Sequence, residues 1–580
     1  MRNVYRTAHP CAIKLERQAL PPAVSHPPER VRPTAAGYVY PVPPVTLERP
    51  PRSRVGRDEG SGSSHEVLGR PDRTILAAAL TGLLSCCVLV LIAGRAARVP
   101  GAVPPSSWLG LTDAVDRPAL SAVVGGVEIS AVLLLVLAWG WLLRSARRLR
   151  ARVVVIVGLL WAAPFALGPP VLSLDAYSYL AQGRLAALGI DPYRNPPAAL
   201  LGGAWLQGVD PFWRHAQSPY GPLAVLLERA VAVTGDPAVA LVLLHALALG
   251  CLGVVALVVR QLAPRSQRST VLLLTVGNPV VLLQLLGAAH WEALLVALLA
   301  MALLAWQRER PELAIALAST AAAVKLPAGF ALAVLLLLHV LGGTPGRLWR
   351  TATGFAAAAV PWLLLSLMVP NAFGFRDALT TPLSGRTLYA PTTLLAEGLA
   401  KACGLAGVAV PFDTLLGMCR VGGVLLATGV CCALLATASR RPAGTTIGLG
   451  LLVVALLGPV LYPWYCTWGL IPLALTSRGH HRLVALLSGA MTFTALPGCQ
   501  ALGERLLALD PAVLPPTTLV IAVTVVLAFT TRSGAGRRPV AGTGSARQLV
   551  LAVAPPQMQV NAFSPQGSTP EYDAAAHRAS

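Results

Sequence analysis

Asp175 stands near the start of Ser173-Leu174-Asp175-Ala176-Tyr177-Ser178-Tyr179-Leu180-Ala181-Gln182-Gly183-Arg184, a segment that predicts a helix beginning near Asp175 and stopping at Gly189. Tyr177, Leu180, Ala181, Arg184 and Leu188 recur at helical spacing, whereas Asp175, Tyr179 and Gln182 form a polar stripe on another face. A carboxylate, a phenol and an amide on one face could hold a hydroxylated ligand. The alternative is that Asp175 is only a helix N-cap, taking an orphan N–H and suiting the dipole.

Beyond it come Asp191-Pro192-Tyr193, Trp205, Asp210-Pro211-Phe212-Trp213-Arg214-His215 and Ser218-Pro219-Tyr220-Gly221-Pro222. Rings beside carboxylates suit sugars, whose C–H faces stack while their hydroxyls take hydrogen bonds. Trp and Tyr also gather at membrane interfaces, and Asp-Pro and Gly-Pro are ordinary turn signals. Gly277-Asn278-Pro279 interrupts an apolar run that ends in His290-Trp291-Glu292, where His290 could touch a phosphate or a leaving group. Lys325 lies between two apolar stretches, a costly position that makes it a functional candidate unless it snorkels to the interface. Arg386 could meet an anion, and Tyr462-Pro463-Trp464-Tyr465-Cys466-Thr467-Trp468 could stack on a sugar or an isoprenoid, or form an aromatic belt.

The chain that must position these groups has 580 residues, 55% hydrophobic and 12% charged, with a mean hydropathy of +0.64. Average soluble domains are roughly 25% charged and 45–50% apolar, so a soluble enzyme is excluded. The net charge of +21 lies between apolar runs rather than on a folded face, so its polyanion is anionic lipid rather than nucleic acid. Only Lys14, Lys325 and Lys401 are lysines, so no Gly-Lys-Ser/Thr exists and a P-loop is excluded. The ten cysteines sit mostly in apolar runs and form no Cys-x-x-Cys or zinc spacing. No convincing metal site is expected, although Asp175 with Glu292 or Asp210 could hold a divalent ion if folding joined them.

At about 20 apolar residues per span, about fourteen spans are expected. They lie near 74–95, 121–143, 153–170, 238–259, 270–288, 293–307, 313–324, 326–342, 351–370, 415–438, 445–461, 465–477, 483–499 and 516–531. Residues 1–73 lack an apolar h-region, so the first span is expected to drive insertion. With the N-terminus in the cytoplasm, the arginines after 143, 259, 307, 342, 438, 477 and 531 all fall inside. The expected domains are a disordered basic cytoplasmic tail over 1–73, a polytopic membrane domain over 74–531 and a disordered cytoplasmic tail over 532–580. The long loops 171–237 and 371–412 are then extracytoplasmic, and the helix near 175–188 is expected to lie flat at the outer membrane face, bordering a groove.

Asp175-Ala-Tyr-Ser-Tyr-Leu-Ala-Gln-Gly, Gly189-Ile-Asp-Pro-Tyr, Pro219-Tyr-Gly-Pro, Gly277-Asn-Pro with His290-x-Glu292, Val324-Lys325 and Tyr462-Pro-Trp-Tyr occur in that order. Across roughly 74–531 the chain resembles the polyprenol-phosphate-mannose-dependent alpha-(1→6)-mannosyltransferases of actinobacterial envelopes (MptB type) of the GT-C superfamily. Trp291 departs from the small polar residue expected between the His and the acid. The resemblance implies an all-helical GT-C-like bundle in the plasma membrane with outer loops and short interfacial helices. It implies a polyprenyl-phosphate mannose donor and a mannan glycolipid acceptor, joined with inversion on the outer side. A lipid donor agrees with the lack of an Asp-x-Asp motif and of a cytosolic nucleotide-binding domain. By the resemblance, Asp175 is the catalytic base; beside it Tyr177, Tyr179, Gln182, Tyr220 and Trp464 are the candidates to bind sugar or acceptor, and because a departing phosphate needs cationic or hydrogen-bonding partners, Lys325, Arg386, His290 and Arg184, in that order, are the candidates to meet it.

An alpha-(1→2)-mannosyltransferase, an arabinosyltransferase or a protein O-mannosyltransferase would share this composition. So would a flippase of lipid-linked sugars, which Glu128, Asn278 and Arg420 within apolar stretches keep open. Most polar candidates nevertheless gather at outer helix ends, whereas a transporter concentrates them at mid-membrane. A non-catalytic scaffold of the same fold is the remaining alternative.

Overall fold

The computed structural model describes residues 73–96, 118–342, 346–381, 385–387 and 389–494. Both expected tails, but for Arg73, the span expected over 516–531 and the end of that over 483–499 lie outside these residues. Among the described residues every regular element is helical. In order they are α1 (Arg73–Ala96), α2 (Pro118–Ser145), α3 (Ala151–Leu167), α4 (Asp175–Ala187), α5 (Pro211–Arg214), α6 (Pro222–Ala232), α7 (Pro237–Leu262) and α8 (Arg268–Leu274). A π-helical stretch, Val281–Gly287, precedes α9 (Glu292–Gln307), α10 (Pro311–Ala322), α11 (Gly329–Leu341), α12 (Arg347–Met368) and α13 (Pro391–Leu405). Then come α14 (Phe412–Ala436), α15 (Ala443–Leu457), α16 (Pro463–Thr476) and α17 (His481–Met491).

Among the described residues five helices are long and apolar enough to cross a membrane: Arg73–Ala93, Val127–Arg148, Pro237–Leu262, Arg347–Met368 and Phe412–Ala436. A sixth counts if the π-helical stretch and α9, bent by 112°, form one broken span. The chain is thus a membrane protein. Several apolar runs read in the sequence as full spans fold as shorter helices, among them Ala151–Leu167, Pro311–Ala322 and Ala443–Leu457. A hydropathy window registers apolar residues but not where a helix stops. The run over 270–288 illustrates this, because it breaks at 275–278 between α8 and the helical turn that leads into the π-helical stretch.

A break among apolar helices exposes backbone groups that lipid cannot satisfy. Here Asn278 meets that need: its Nδ2 donates to the Leu274 carbonyl at 3.1 Å and to Ser488 Oγ at 2.6 Å, and its Oδ1 accepts from the Val280 N–H at 3.0 Å. Trp139 Nε1 donates to the Leu273 carbonyl at 2.7 Å, tying α2 to the end of α8.

Helix α4 does not lie on the surface. Every residue from Asp175 to Gly183 is buried, and the helix packs against α6 and α7. Protein therefore covers both its polar and its apolar face. Its end follows the sequence: Gly189 adopts φ +77°, the Ile190 N–H reaches the Leu185 carbonyl and the Gly189 N–H the Ala186 carbonyl, a Schellman stop. Gly183 lets α4 touch the Glu228 backbone on α6. Gly221 lets the Pro-Tyr-Gly-Pro turn touch Ala323, with the Gly221 N–H donating to the Val324 carbonyl and the Leu223 N–H to that of Ala323.

A methyl group at 221 would run into the Ala323 carbonyl. Gly221→Ala is therefore expected to destabilise the fold by about 1–3 kcal/mol, read as a lowered thermal unfolding midpoint in detergent. An unchanged midpoint would show that this backbone contact is not structural.

Candidate active site

A cavity of about 240 Å³ opens where the start of α4, the 210–213 turn, Tyr220, the 385–389 strip and the start of α16 converge. Asp175, Tyr220, Arg386 and Trp464 line it, together with Ser173, Asp210, Trp213, Thr387, Tyr462 and Tyr465. Four residues singled out from the sequence, from segments up to 289 positions apart (175 to 464), thus share one wall.

Asp175 is not the N-cap of α4. That position belongs to Leu174, which makes no side-chain cap bond, and Ser173 Oγ instead accepts from the Asp175 N–H at 3.1 Å. The carboxylate is therefore free to face the cavity. Behind it stands His290, whose Nε2 lies 3.5 Å from Asp175 Oδ2 and 3.2 Å from Ser173 Oγ. His290 Nδ1 lies 2.8 Å from the Gln284 carbonyl, which can only accept, so Nδ1 carries a proton. A neutral ring then accepts a hydrogen bond from the Ser173 hydroxyl at Nε2; a ring protonated at Nε2 would donate toward Asp175. Leu172 (φ +72°) and Ala289 (φ +52°), beside Ser173 and His290, hold left-handed backbone, which costs about 1–2 kcal/mol per residue for a side chain with a Cβ.

The aromatic wall is continuous. His290 stacks on Trp464 at 4.0 Å and Trp464 on Tyr462 at 4.6 Å, while Tyr465 stacks on Trp468 at 4.5 Å. Lys325 projects into this wall, its Nζ 2.7 Å from Glu292 Oε1, 4.2 Å from the Tyr465 ring centre and 5.1 Å from that of Tyr220. Its ammonium is thus paired and caged rather than snorkelled to an interface. Tyr179 stands behind Tyr220, the two hydroxyls 3.0 Å apart. Burial pushes both phenols well above their usual range, so both stay neutral and one donates to the other.

Other expected residues lie elsewhere. Tyr177 and Gln182 are absent from the cavity lining, and the Tyr177 hydroxyl and Gln182 Oε1 are buried without a hydrogen-bond partner among the described residues. The Arg184 guanidinium lies 5.5 Å over the Trp205 ring, also outside the cavity. Arg386 sits at the rim, 2.6 Å from Glu397 Oε1 and 4.3 Å over Phe412, and Arg420 donates to the adjacent Gly385 carbonyl at 2.5 Å. Asp210 spends one oxygen on the Phe212 N–H at 2.8 Å. Among the described residues no three His, Cys, Asp or Glu side chains group as metal ligands.

Sequence reasoning assigned no role to Glu228. It is fully buried, and its Oε1 accepts from Trp291 Nε1 at 2.9 Å. The large residue between His290 and Glu292 thus has a physical account: its indole fills the core and donates to an acid on α6. Proximity of 228 to 291 leaves no local signal, because α6 and the 288–292 corner meet only in the folded chain.

An all-helical membrane protein with a carboxylate at the base of an aromatic, arginine-rimmed cavity has the make-up of a membrane glycosyltransferase. Residues 79–341 match the family described as Alpha-(1->6)-mannopyranosyltransferase, N-terminal domain, and residues 392–514 match the MptB C-terminal domain. The chain is 30% identical over 460 residues to a probable alpha-(1->6)-mannopyranosyltransferase of Mycolicibacterium smegmatis, covering 71% of this chain and 82% of that protein. It is 31% identical over 416 residues to an alpha-(1->6)-mannopyranosyltransferase of Mycobacterium tuberculosis, covering 60% and 69%, and 33% identical over 354 residues to alpha-(1->6)-mannopyranosyltransferase A of the same organism, covering 58% and 67%. No solved structure matches. The chain belongs to the alpha-(1→6)-mannopyranosyltransferase family and is a glycosyltransferase that transfers mannosyl groups.

Burial raises the Glu228 carboxyl from 4.5 to about 8, partly offset by the Trp291 hydrogen bond. The unfolded chain ionises this group near its usual range while the folded chain keeps it protonated, so its stabilising share is full below about 4.5 and is lost by about 8. Glu228→Gln, which keeps an acceptor for Trp291, is expected to flatten the fall in thermal stability across that window. A slope identical to wild type would mean that Glu228 is ionised in the folded chain.

Proposed function

We propose that this enzyme moves mannose from polyprenyl-phosphate mannose to the 6-hydroxyl of a mannan glycolipid, extending alpha-(1→6)-mannan on the outer side of the plasma membrane with both termini cytoplasmic. The observation that carries this reading is the Asp175 carboxylate, unspent on capping and facing a cavity walled by Tyr220, Trp464 and Arg386. Support for the transferred sugar and its linkage comes from the names of the relatives, and a lipid-borne donor suits a chain with several helices long and apolar enough to cross a membrane. A GT-C-type bundle, in which the shorter apolar helices complete further spans, goes with the same reading.

In this mechanism the acceptor oxygen attacks the anomeric carbon while its proton passes to Asp175. The bond from the anomeric carbon to the phosphate oxygen breaks, and its electron pair leaves on the phosphate. Attack opposite the leaving group inverts the anomeric centre, so an alpha-linked product comes from a beta-linked donor. The departing phosphate needs no acid, only cations whose attraction grows as its charge develops. Arg386 at the rim can exchange Glu397 for the phosphate, and Lys325 with the neighbouring rings sets the field of the pocket. Tyr220 and Trp464 offer the sugar a hydroxyl and a stacking face. His290, 3.5 Å from Asp175, can receive the proton afterwards.

The test is mannose transfer from polyprenyl-phosphate mannose to a short alpha-(1→6)-mannoside in membranes carrying wild type or Asp175→Asn at matched protein levels. The substitution is expected to lower transfer at least about 100-fold. Undiminished transfer would remove Asp175 from the mechanism, and inactive wild type with every acceptor tried would remove this donor. Arg386→Gln is expected to raise the donor KM about tenfold, the worth of one charge-assisted contact. A donor KM equal to wild type would leave Arg386 no part in binding the phosphate.

A further inference from the structure

A second cavity, of about 260 Å³, lies at the other end of α4. Its wall is mostly apolar: Ala186, Ile190, Val225 and Leu226, with Met368 and Val369 where α12 ends. Arg229 also lines it, one turn along α6 from Val225. This guanidinium is exposed and makes no hydrogen bond or ion pair among the described residues. The one acid in the wall, Asp191, does not claim it. Asp191 Oδ1 accepts from the Tyr193 N–H at 2.9 Å, and its Oδ2 accepts from Asn371 Nδ2 at 3.0 Å and lies 3.7 Å from Arg194 Nε. A buried cluster of Tyr193, Val225, Val369, Ala372 and Phe375 adjoins the cavity.

The apolar wall continues into a span. Helix α12 is a candidate membrane crossing whose sides are almost wholly uncovered by protein, and Leu363, Leu364, Leu367 and Met368 are all more than half exposed near its end. An unpaired cation in a cavity that opens from a lipid-facing helix is complementary to a molecule with one anionic group and apolar chains. We propose that this cavity holds the phosphodiester headgroup of an anionic membrane glycerophospholipid, with Arg229 as its charge partner and its acyl chains along α12. The site is separate from the Asp175 cavity and does not depend on which sugar donor is used there.

The purified full-length protein in non-ionic detergent is titrated by calorimetry with short-chain phosphatidylglycerol, short-chain phosphatidylcholine and inorganic phosphate. Phosphatidylglycerol is expected to bind more tightly than the other two, and Arg229→Gln to weaken it about tenfold, as for the loss of a charge-assisted hydrogen bond. Leu226→Trp, which fills the cavity and leaves Arg229 in place, is expected to weaken it as well, a second variant should the first fold poorly. Equal phosphatidylglycerol binding by wild type and both variants would overturn the proposal. Inorganic phosphate bound as tightly as the lipid, and lost in Arg229→Gln, would overturn the lipid occupant in favour of a free phosphate. Mannosyl transfer to a soluble acceptor is expected to be unchanged in Arg229→Gln, so failure of this site and failure of the Asp175 reaction give different results.

Discussion

The corner between Gly287 and Glu292 is the constraint on which the site depends. A chain running through apolar helices reverses there by 112°, and every backbone group it frees needs a partner inside the protein. The Gly287 carbonyl takes the Val171 N–H at 2.8 Å, which brings the Leu172–Asp175 strip to the corner. The Gln284 carbonyl faces His290 Nδ1 and so fixes the ring that stands behind Asp175. Trp291 points the other way and anchors the corner to Glu228, and Glu292 starts α9 with its charge on Lys325. Three consecutive side chains thus face three separate elements, and left-handed Ala289 is the backbone cost of turning them apart.

The start and stop of α4 were legible because they rest on local rules: a polar residue opens the helix and Gly189 supplies the left-handed residue that closes it. The clustering of Asp175, Tyr220, Arg386 and Trp464 was legible only through the motifs' resemblance to a family, since no periodicity links segments so far apart. The polar stripe of Asp175, Tyr179 and Gln182 on α4 is buried, a depth that one helix's periodicity does not reveal, and the hydroxyl pair of Tyr179 and Tyr220 offsets part of the cost. The Glu292–Lys325 and Glu228–Trp291 pairs bridge 33 and 63 positions, and a lone lysine or glutamate in an apolar run carries no mark of its partner.

The lengths of the shorter helices have a similar cause in the sequence. Fourteen apolar runs are present, but Asn278 and Pro279 divide one, and Pro311 and Pro442 confine their neighbours to helices of 12 and 15 residues. Short helices around a broken one leave room for irregular backbone, which is where a cavity can form among apolar elements. The long helices α12 and α14 show the opposite economy: protein covers little of either, and both follow the sequence pattern closely because lipid asks only for length and apolarity.

The two cations near Asp175 differ in a way that divides their labour. Lys325 is paired with a carboxylate that has no exposed surface, and separating such a pair strands a buried charge at a cost of about 3–5 kcal/mol. Arg386 and Glu397 are 52% and 29% exposed, and an exposed pair is worth at most about 1 kcal/mol. A phosphate entering the cavity can therefore take Arg386 from Glu397 at little cost but cannot take Lys325 from Glu292. Under the proposed reaction Arg386 is the mobile contact, made on binding and released with the product. Lys325 stays in place as a fixed positive centre whose cage orients Tyr220 and Tyr465 toward the sugar. The sequence marks Lys325 by the cost of a lone lysine in an apolar run, and Glu292 beside it offsets part of that cost.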